Sequence, residues 1–236
     1  MRDTVTVTMA SIPVRERGML TVVDQLLPQC DRLYVCLNDY AVVPARLNDP
    51  KIVYKQFMGK EQISDHGKFY WNDQIDGYHF TVDDDILYPK NYVEHTIGQI
   101  EHYRRKAVVG YHGTLLLLVN HGRLMISNKV ALQRLRFGDT LPANRQVYML
   151  GTGVLAYHTQ TMRYMYRWLK HGGTDEQVSL FCQQHGIPMV CLAHNEGWLI
   201  DNTPMSCKQN IGGNKVLDGL AFSRVLGYQE WKLHTI

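Results

Sequence analysis

The sequence has no apolar run long enough to cross a bilayer. Its longest, Leu115 to Val119, falls far short of the ~20 residues a spanning helix needs. Its five cysteines are odd in number and contain no C-x-x-C pair, so neither a disulfide framework nor a cysteine zinc site is indicated. Cys36, Cys182 and Cys191 lie in apolar runs and read as buried free thiols, which suits a reducing compartment. The eleven histidines include no H-x-x-x-H pair. There is little excess charge: a net +3 is too small to argue for nucleic acid. It suits a modest basic pocket for phosphate, or loose contact with an anionic membrane surface. Internal repeats and low-complexity linkers are missing. Met1-Arg2-Asp3-Thr4 lacks the apolar stretch of a signal peptide. The expectation is a cytoplasmic protein, with peripheral membrane association at most.

What is present is an ordinary globular composition, 45% hydrophobic and 20% charged over 236 residues, expected to form one domain. Val5, Val7 and Met9 alternate with threonines and predict a first strand. A helix is predicted over about 17–27, with Leu20, Val23, Leu26 and Leu27 on one face. Further strands are predicted at Leu33 to Leu37, Lys51 to Tyr54, Tyr78 to Val82, Ala107 to Tyr111, Val154 to Tyr157 and Ile187 to Leu192. Helices are predicted from His66 through Ile75, after Pro89, and from Thr174 to His185. Thr174 and Gln177 suggest a capping box for the last of these. Residues 113–147 suggest a hairpin. This strand–helix alternation favours an α/β fold with a mostly parallel sheet.

The run Tyr78-His79-Phe80-Thr81-Val82 leads directly into Asp83-Asp84-Asp85. Adjacent carboxylates raise one another's pKa, so three together call for positive charge. Mg²⁺ or Mn²⁺ takes oxygen ligands, commonly one or two carboxylates with substrate phosphates and water. The bland alternative is a surface turn in which Asp85 caps the helix after Pro89. Ligands of open α/β sheets sit beyond the carboxyl ends of the strands. Those ends carry Ser11, Asn38-Asp39, Asp83 to Asp85 and His112.

A strand ending in D-x-D resembles the signature of GT-A nucleotide-sugar glycosyltransferases. The likeness extends, in order, over Ser11-Ile12-Pro13-Val14-Arg15, Cys36-Leu37-Asn38-Asp39, His66-Gly67-Lys68-Phe69, Asp83 to Pro89, Val109-Gly110-Tyr111-His112-Gly113 and Leu150-Gly151-Thr152-Gly153. Together these resemble the bacterial capsule N-acetylglucosaminyltransferases of the heparosan pathway over residues 5–200. The C-terminal stretch matches poorly. The resemblance implies a GT-A-like (Rossmann-like) mixed sheet flanked by helices, with residues 1–110 binding the nucleotide, 111–200 the donor and acceptor, and 201–236 a further segment. It implies a UDP-sugar donor, a saccharide acceptor and Mn²⁺ or Mg²⁺.

By that resemblance Asp85 ligates the metal, Asp83 meets ribose or diphosphate, and Asp84 binds the donor sugar or holds the turn. Asn38, Asp65 and Lys68 are placed to bond uracil and ribose. Lys68 and Arg15, or Arg17 in its stead, reach phosphate, and Ser11 lines the same crevice. Gly151, Thr152 and Gly153 admit the sugar close to the backbone, or form an ordinary tight turn. Asp175 or Glu176 stands at the donor–acceptor junction, or simply favours its helix dipole. His194 is a candidate further metal ligand, and His112 meets the acceptor or packs. Lys208 to Lys215 is a candidate lid. Two other readings stay open. One is a sugar-1-phosphate nucleotidyltransferase, disfavoured because no glycine follows strand one until Gly18. The other is a non-catalytic nucleotide- or glycan-binding protein.

Overall fold

The computed structural model describes residues 2–117, 131–169, 173–207 and 233–236. In chain order the strands are β1 (Val5–Ser11), β2 (Arg32–Asn38), β3 (Ile52–Phe57), β4 (Tyr78–Asp83), β5 (Ile86–Leu87), β6 (Val108–Gly110), β7 (Gly113–Leu117), β8 (Ala131–Leu135), β9 (Arg145–Gln146), β10 (Met149–Leu150), β11 (Val154–His158), β12 (Met189–Cys191) and β13 (Ile200–Asp201). The α-helices are α1 (Glu16–Leu26), α2 (Tyr92–His102), α3 (Met165–Trp168) and α4 (Thr174–Gln184). The lid candidate from Lys208 to Lys215 lies outside the described residues.

The main sheet has eight strands in the order β3-β2-β1-β4-β11-β6-β12-β9. All are parallel to β1 except β11 and β9. The expected mixed, mostly parallel, Rossmann-like α/β architecture is therefore what forms. Strand order reverses between β1 and β4: β2 and β3 extend one way, β4 and β11 the other. Such a switch point opens a crevice at the carboxyl ends of the two strands. Ser11 ends β1 and Asp83 ends β4. The predicted hairpin region holds β7 and β8, antiparallel, with β10 beside them.

Alternation decides which side chains meet which layer. Val5, Val7 and Met9 of β1, with Phe80 and Val82 of β4, join Met19, Val22, Val23 and Leu26 of α1 and Tyr92, Val93 and Ile100 of α2 in one core. Of the predicted face, Val23, Leu26 and Leu27 are buried, joined by Met19 and Val22, and Leu20 alone is only half-buried. A second core packs α4 against Phe69, Val108, Leu155 and Tyr157. Among the described residues no helix is long and apolar enough to cross a membrane.

Two local predictions fail for identifiable reasons. No α-helix forms from His66 to Ile75; the chain makes short 3-10 turns at Ser64–Phe69 and Asn72–Gln74. Side chains from the sheet bond the carbonyls of this turn: Cys36 Sγ donates to Gly67 O, which also accepts from the Tyr70 amide, and Thr8 Oγ1 donates to Lys68 O. The capping box of α4 is also unformed. Thr174 is already helical, Gly173 is the N-cap, and no side chain caps it.

Candidate functional site

Three turns converge at the switch point. The first, Pro13–Arg15, follows β1 directly and swings Arg15 over the aspartates. The start of α1 sits against them because residue 18 is glycine: a Cβ there would lie 2.7 Å from the Asp84 carbonyl oxygen. The second turn carries Lys68 across β1. The third is the aspartate turn itself, closed by the two-stranded pair of β5 with β13.

The triad does not act as one group. Asp83 Oδ1 accepts a 2.6 Å bond from Lys68 Nζ, and Lys68 is only 3% exposed. Burial works against the lysine's charge, but Asp83, Asp65 and Asp175 reverse that, and its pKa is raised. Asp84 and Asp85 instead share Arg15, whose Nη1 lies 3.0 Å from Asp84 Oδ1 and 3.0 Å from Asp85 Oδ2. Asp84 is buried, and burial lifts its carboxyl to about 6 in spite of Ser11 and Arg15. Asp85 is raised by burial and by Asp83; its Oδ2 also accepts from the Thr203 hydroxyl. Asp85 therefore does not cap α2, whose N-cap is Asn91.

Across the ladder from Asp83 lies Gly153. A Cβ on Gly153 would fall 1.9 Å from Asp83 Oδ2, so this glycine is required for the carboxylate to lie where it does. Tyr88, which sequence patterning did not single out, bonds the Gly153 carbonyl at 2.6 Å and accepts from the Asp83 amide at 2.9 Å. Thr152 donates twice to Asp175 Oδ1, from its amide at 2.8 Å and its hydroxyl at 2.6 Å. One oxygen of Asp175 is thus used to fix it, at the first turn of α4. Gly151 packs against His112, whose pKa burial lowers although Asp175 and Asp83 act to raise it. Burial acts to raise the Asp65 carboxyl, yet Lys68 leaves it below the ordinary range.

A cavity of about 230 Å³ is lined by Ser11, Arg15, Asn38, Asp65, Lys68, Asp83 and Asp84, with Ala10, Ile12 and Ser64; Asp85, Gly151, Thr152, Gly153 and Asp175 are not part of its wall. Seven residues singled out from sequence thus share one pocket.

Others take different positions. Asn38 spends its side chain on the backbone of the next turn, donating to Ser64 O and accepting from Ile63 N. It therefore shapes the pocket wall. Glu176 folds its carboxylate back over Gly173. The metal assignment of His194 does not fit. Its Nδ1 lies 2.7 Å from Leu192 O and its Nε2 3.2 Å from Arg136 O. Both ring nitrogens thus face backbone carbonyls, and its backbone pairs with Leu141.

The remaining donors suit a hard divalent cation. Asp65, Asp83, Asp84, Asp85 and Asp175 outnumber Arg15 and Lys68, leaving surplus negative charge. Among the described residues Asp84 Oδ2 is buried without a hydrogen-bond partner. All candidate ligands are oxygens, as Mg²⁺ and Mn²⁺ prefer. Among the described residues no group of three or more His, Cys, Asp or Glu already converges to hold an ion.

No protein-family model and no curated protein matches the chain. Among solved structures, the 4-diphosphocytidyl-2C-methyl-D-erythritol synthase of Anaerococcus prevotii follows a similar course. It is 12% identical, with 93% of this chain and 94% of that chain covered, at a TM-score of 0.47. Similarity at this level carries no information about substrate.

Proposed function

We propose that this protein is a transferase acting on a nucleotide-linked substrate, and that it moves a sugar from a UDP-sugar to a saccharide hydroxyl. One observation carries the reading: the cavity at the switch point brings Arg15 and Lys68 together with Asp83 and Asp84, beside a glycine-dependent approach at Gly153. A departing nucleoside diphosphate accumulates negative charge, and pre-placed cations lower the cost of that charge. Lys68 and Arg15 are the cations that meet it. A divalent ion held by Asp83 and Asp85 would supply Lewis-acid stabilisation of the same leaving group. Asp175 is held by Thr152 through one oxygen, which leaves the other to orient or deprotonate an acceptor hydroxyl.

A second reading is favoured by Arg15, a cation in the turn directly after β1. Nucleotidyl transfer from a nucleoside triphosphate to a sugar phosphate uses a basic group at that position. The two readings differ in product. Incubation with UDP-sugars, Mn²⁺ and saccharide acceptors should release UDP. Pyrophosphate release from UTP and a sugar 1-phosphate would establish the second reading. Binding without either product would mark a non-catalytic nucleotide-binding protein.

A further inference from the structure

A polar column runs beneath the site on one face of β4. His79, Thr81 and Asp83 alternate with Tyr78, Phe80 and Val82, so all three project to the face opposite α1. Asp83 meets Lys68. Thr81 Oγ1 donates to Thr152 O at 2.7 Å, under the residue that fixes Asp175. His79 is fully buried; its ring packs edge-on against Phe69 and Tyr157 of the second core, and it does not line the cavity.

The hydrogen bonds around His79 have only one consistent direction. Asn72 Oδ1 accepts from the Met165 amide at 2.7 Å, so its Nδ2 is the donor to Tyr157 Oη at 2.9 Å. The Tyr157 proton is then directed to His79 Nδ1 at 2.6 Å. At the other end Thr8 Oγ1 has a single proton, and its shortest acceptor is Lys68 O at 2.6 Å. Thr8 must therefore accept from His79 Nε2–H at 2.9 Å. Every member is buried and satisfied, which is the condition under which a core polar network is tolerated. A hydrophobic core would be simpler to build, so the network calls for a role.

We propose that His79, as the neutral Nε2–H tautomer, is a positioning residue for Lys68. It commits the Thr8 proton to the Lys68 carbonyl, pins the 3-10 turn to β1, and so aims the Lys68 ammonium at Asp83 and the substrate phosphate. The inference rests on the nucleotide reading of the cavity. It concerns which buried groups set the cation's position, not the identity of the sugar.

The test is calorimetric affinity for UDP with Mn²⁺ in Lys68→Met, Thr8→Val, Thr8→Ser and the Lys68→Met/Thr8→Val double variant. Lys68→Met and Thr8→Val should each weaken binding roughly tenfold, the loss of one charge-linked hydrogen bond. Thr8→Ser keeps the hydroxyl and should bind as the parent does. In the double variant Thr8→Val should add nothing, because both changes remove one interaction; a merely structural effect would add. Normal binding by Lys68→Met overturns the nucleotide reading of the cavity and this proposal with it. Weak binding by Lys68→Met with normal binding by Thr8→Val overturns the positioning role alone. Should Thr8→Val fail to fold, nitrogen NMR of His79 in the parent protein decides. A neutral Nε2–H ring across about pH 5 to 8 supports the proposal, and an Nδ1–H tautomer or a titration in that range overturns it.

Discussion

Gly153→Ala probes the site with one methyl group. The new Cβ would lie 1.9 Å from Asp83 Oδ2 and 2.3 Å from its Cγ. The backbone has little freedom to yield: Asp83 N bonds Gly153 O at 3.0 Å across the ladder, and Tyr88 holds the same carbonyl. The Asp83 side chain must therefore rotate away, breaking its 2.6 Å bond to Lys68. Removing one partner of a fully buried ion pair costs roughly 3–5 kcal/mol, and this pair is only partly buried, with the Asp83 side chain 38% exposed. Asp65 and Asp175 still act on Lys68, which reduces the loss to about 2–3 kcal/mol. For a chain of this length that corresponds to a melting temperature lower by roughly 5–10 °C. UDP affinity should fall as well, since the carboxylate and the ammonium both move. Thermal unfolding with and without UDP and Mn²⁺ reads both effects. Gly98→Ala is the control. That glycine lies exposed on α2 with nothing within 4 Å of its would-be Cβ, so alanine should stabilise by up to about 1 kcal/mol. A Gly153→Ala protein with the parent's melting temperature and affinity would refute the close approach and the role of the Lys68–Asp83 pair.

Asp85→Ala should abolish Mn²⁺-dependent UDP binding, whereas His194→Ala should leave it intact and lower only the unfolding free energy, by about 1–3 kcal/mol; unchanged calorimetric affinity of Asp85→Ala in Mn²⁺ removes the metal assignment. Asp175→Ala should reduce turnover about 10²- to 10⁴-fold with little change in donor KM, and a purely KM effect would place Asp175 in donor binding instead. Acid stability should depend on His79. Burial holds its pKa at about 3 against an ordinary 6.5, so below about pH 6.5 the unfolded chain binds a proton that the folded chain refuses. That contribution is fully present above 6.5 and is lost as pH falls toward 3. His79→Gln should therefore flatten the decline in unfolding free energy over this window, and an unaltered slope would contradict the buried neutral ring.

Much of the sheet was readable from periodicity. The alternation in β1 and β4 names the residues that face α1 and α2, because a strand's side chains change face at every residue. The same alternation marks His79, Thr81 and Asp83 as a polar series, although nothing in the pattern says what they meet. The stretch from His66 to Ile75 forms 3-10 turns in place of the predicted α-helix, and the side chains bonded to its carbonyls, Thr8 and Cys36, are distant in sequence. Thr203 and Tyr88 were missed because their contacts with Asp85 and Gly153 are likewise distant in sequence. Thr203 reaches Asp85 only because β13 pairs with β5, and Tyr88 folds back onto Gly153 across β4 and β11.

The aspartate triad shows where the division lies. Sequence alone determined that three carboxylates follow an apolar strand and that positive charge must answer them, since adjacent like charges are costly in any fold. Which cation answers which carboxylate was decided by tertiary structure. The order of β1 and β4 in the sheet set Lys68 on Asp83, and the turn after β1 set Arg15 between Asp84 and Asp85. His194, equally eligible by composition, has its ring nitrogens within hydrogen-bond distance of two backbone carbonyls, those of Leu192 and Arg136, which sequence does not reveal. Residue type limits what a side chain can bond, but only the folded path determines which partners lie within 3 Å or so of it.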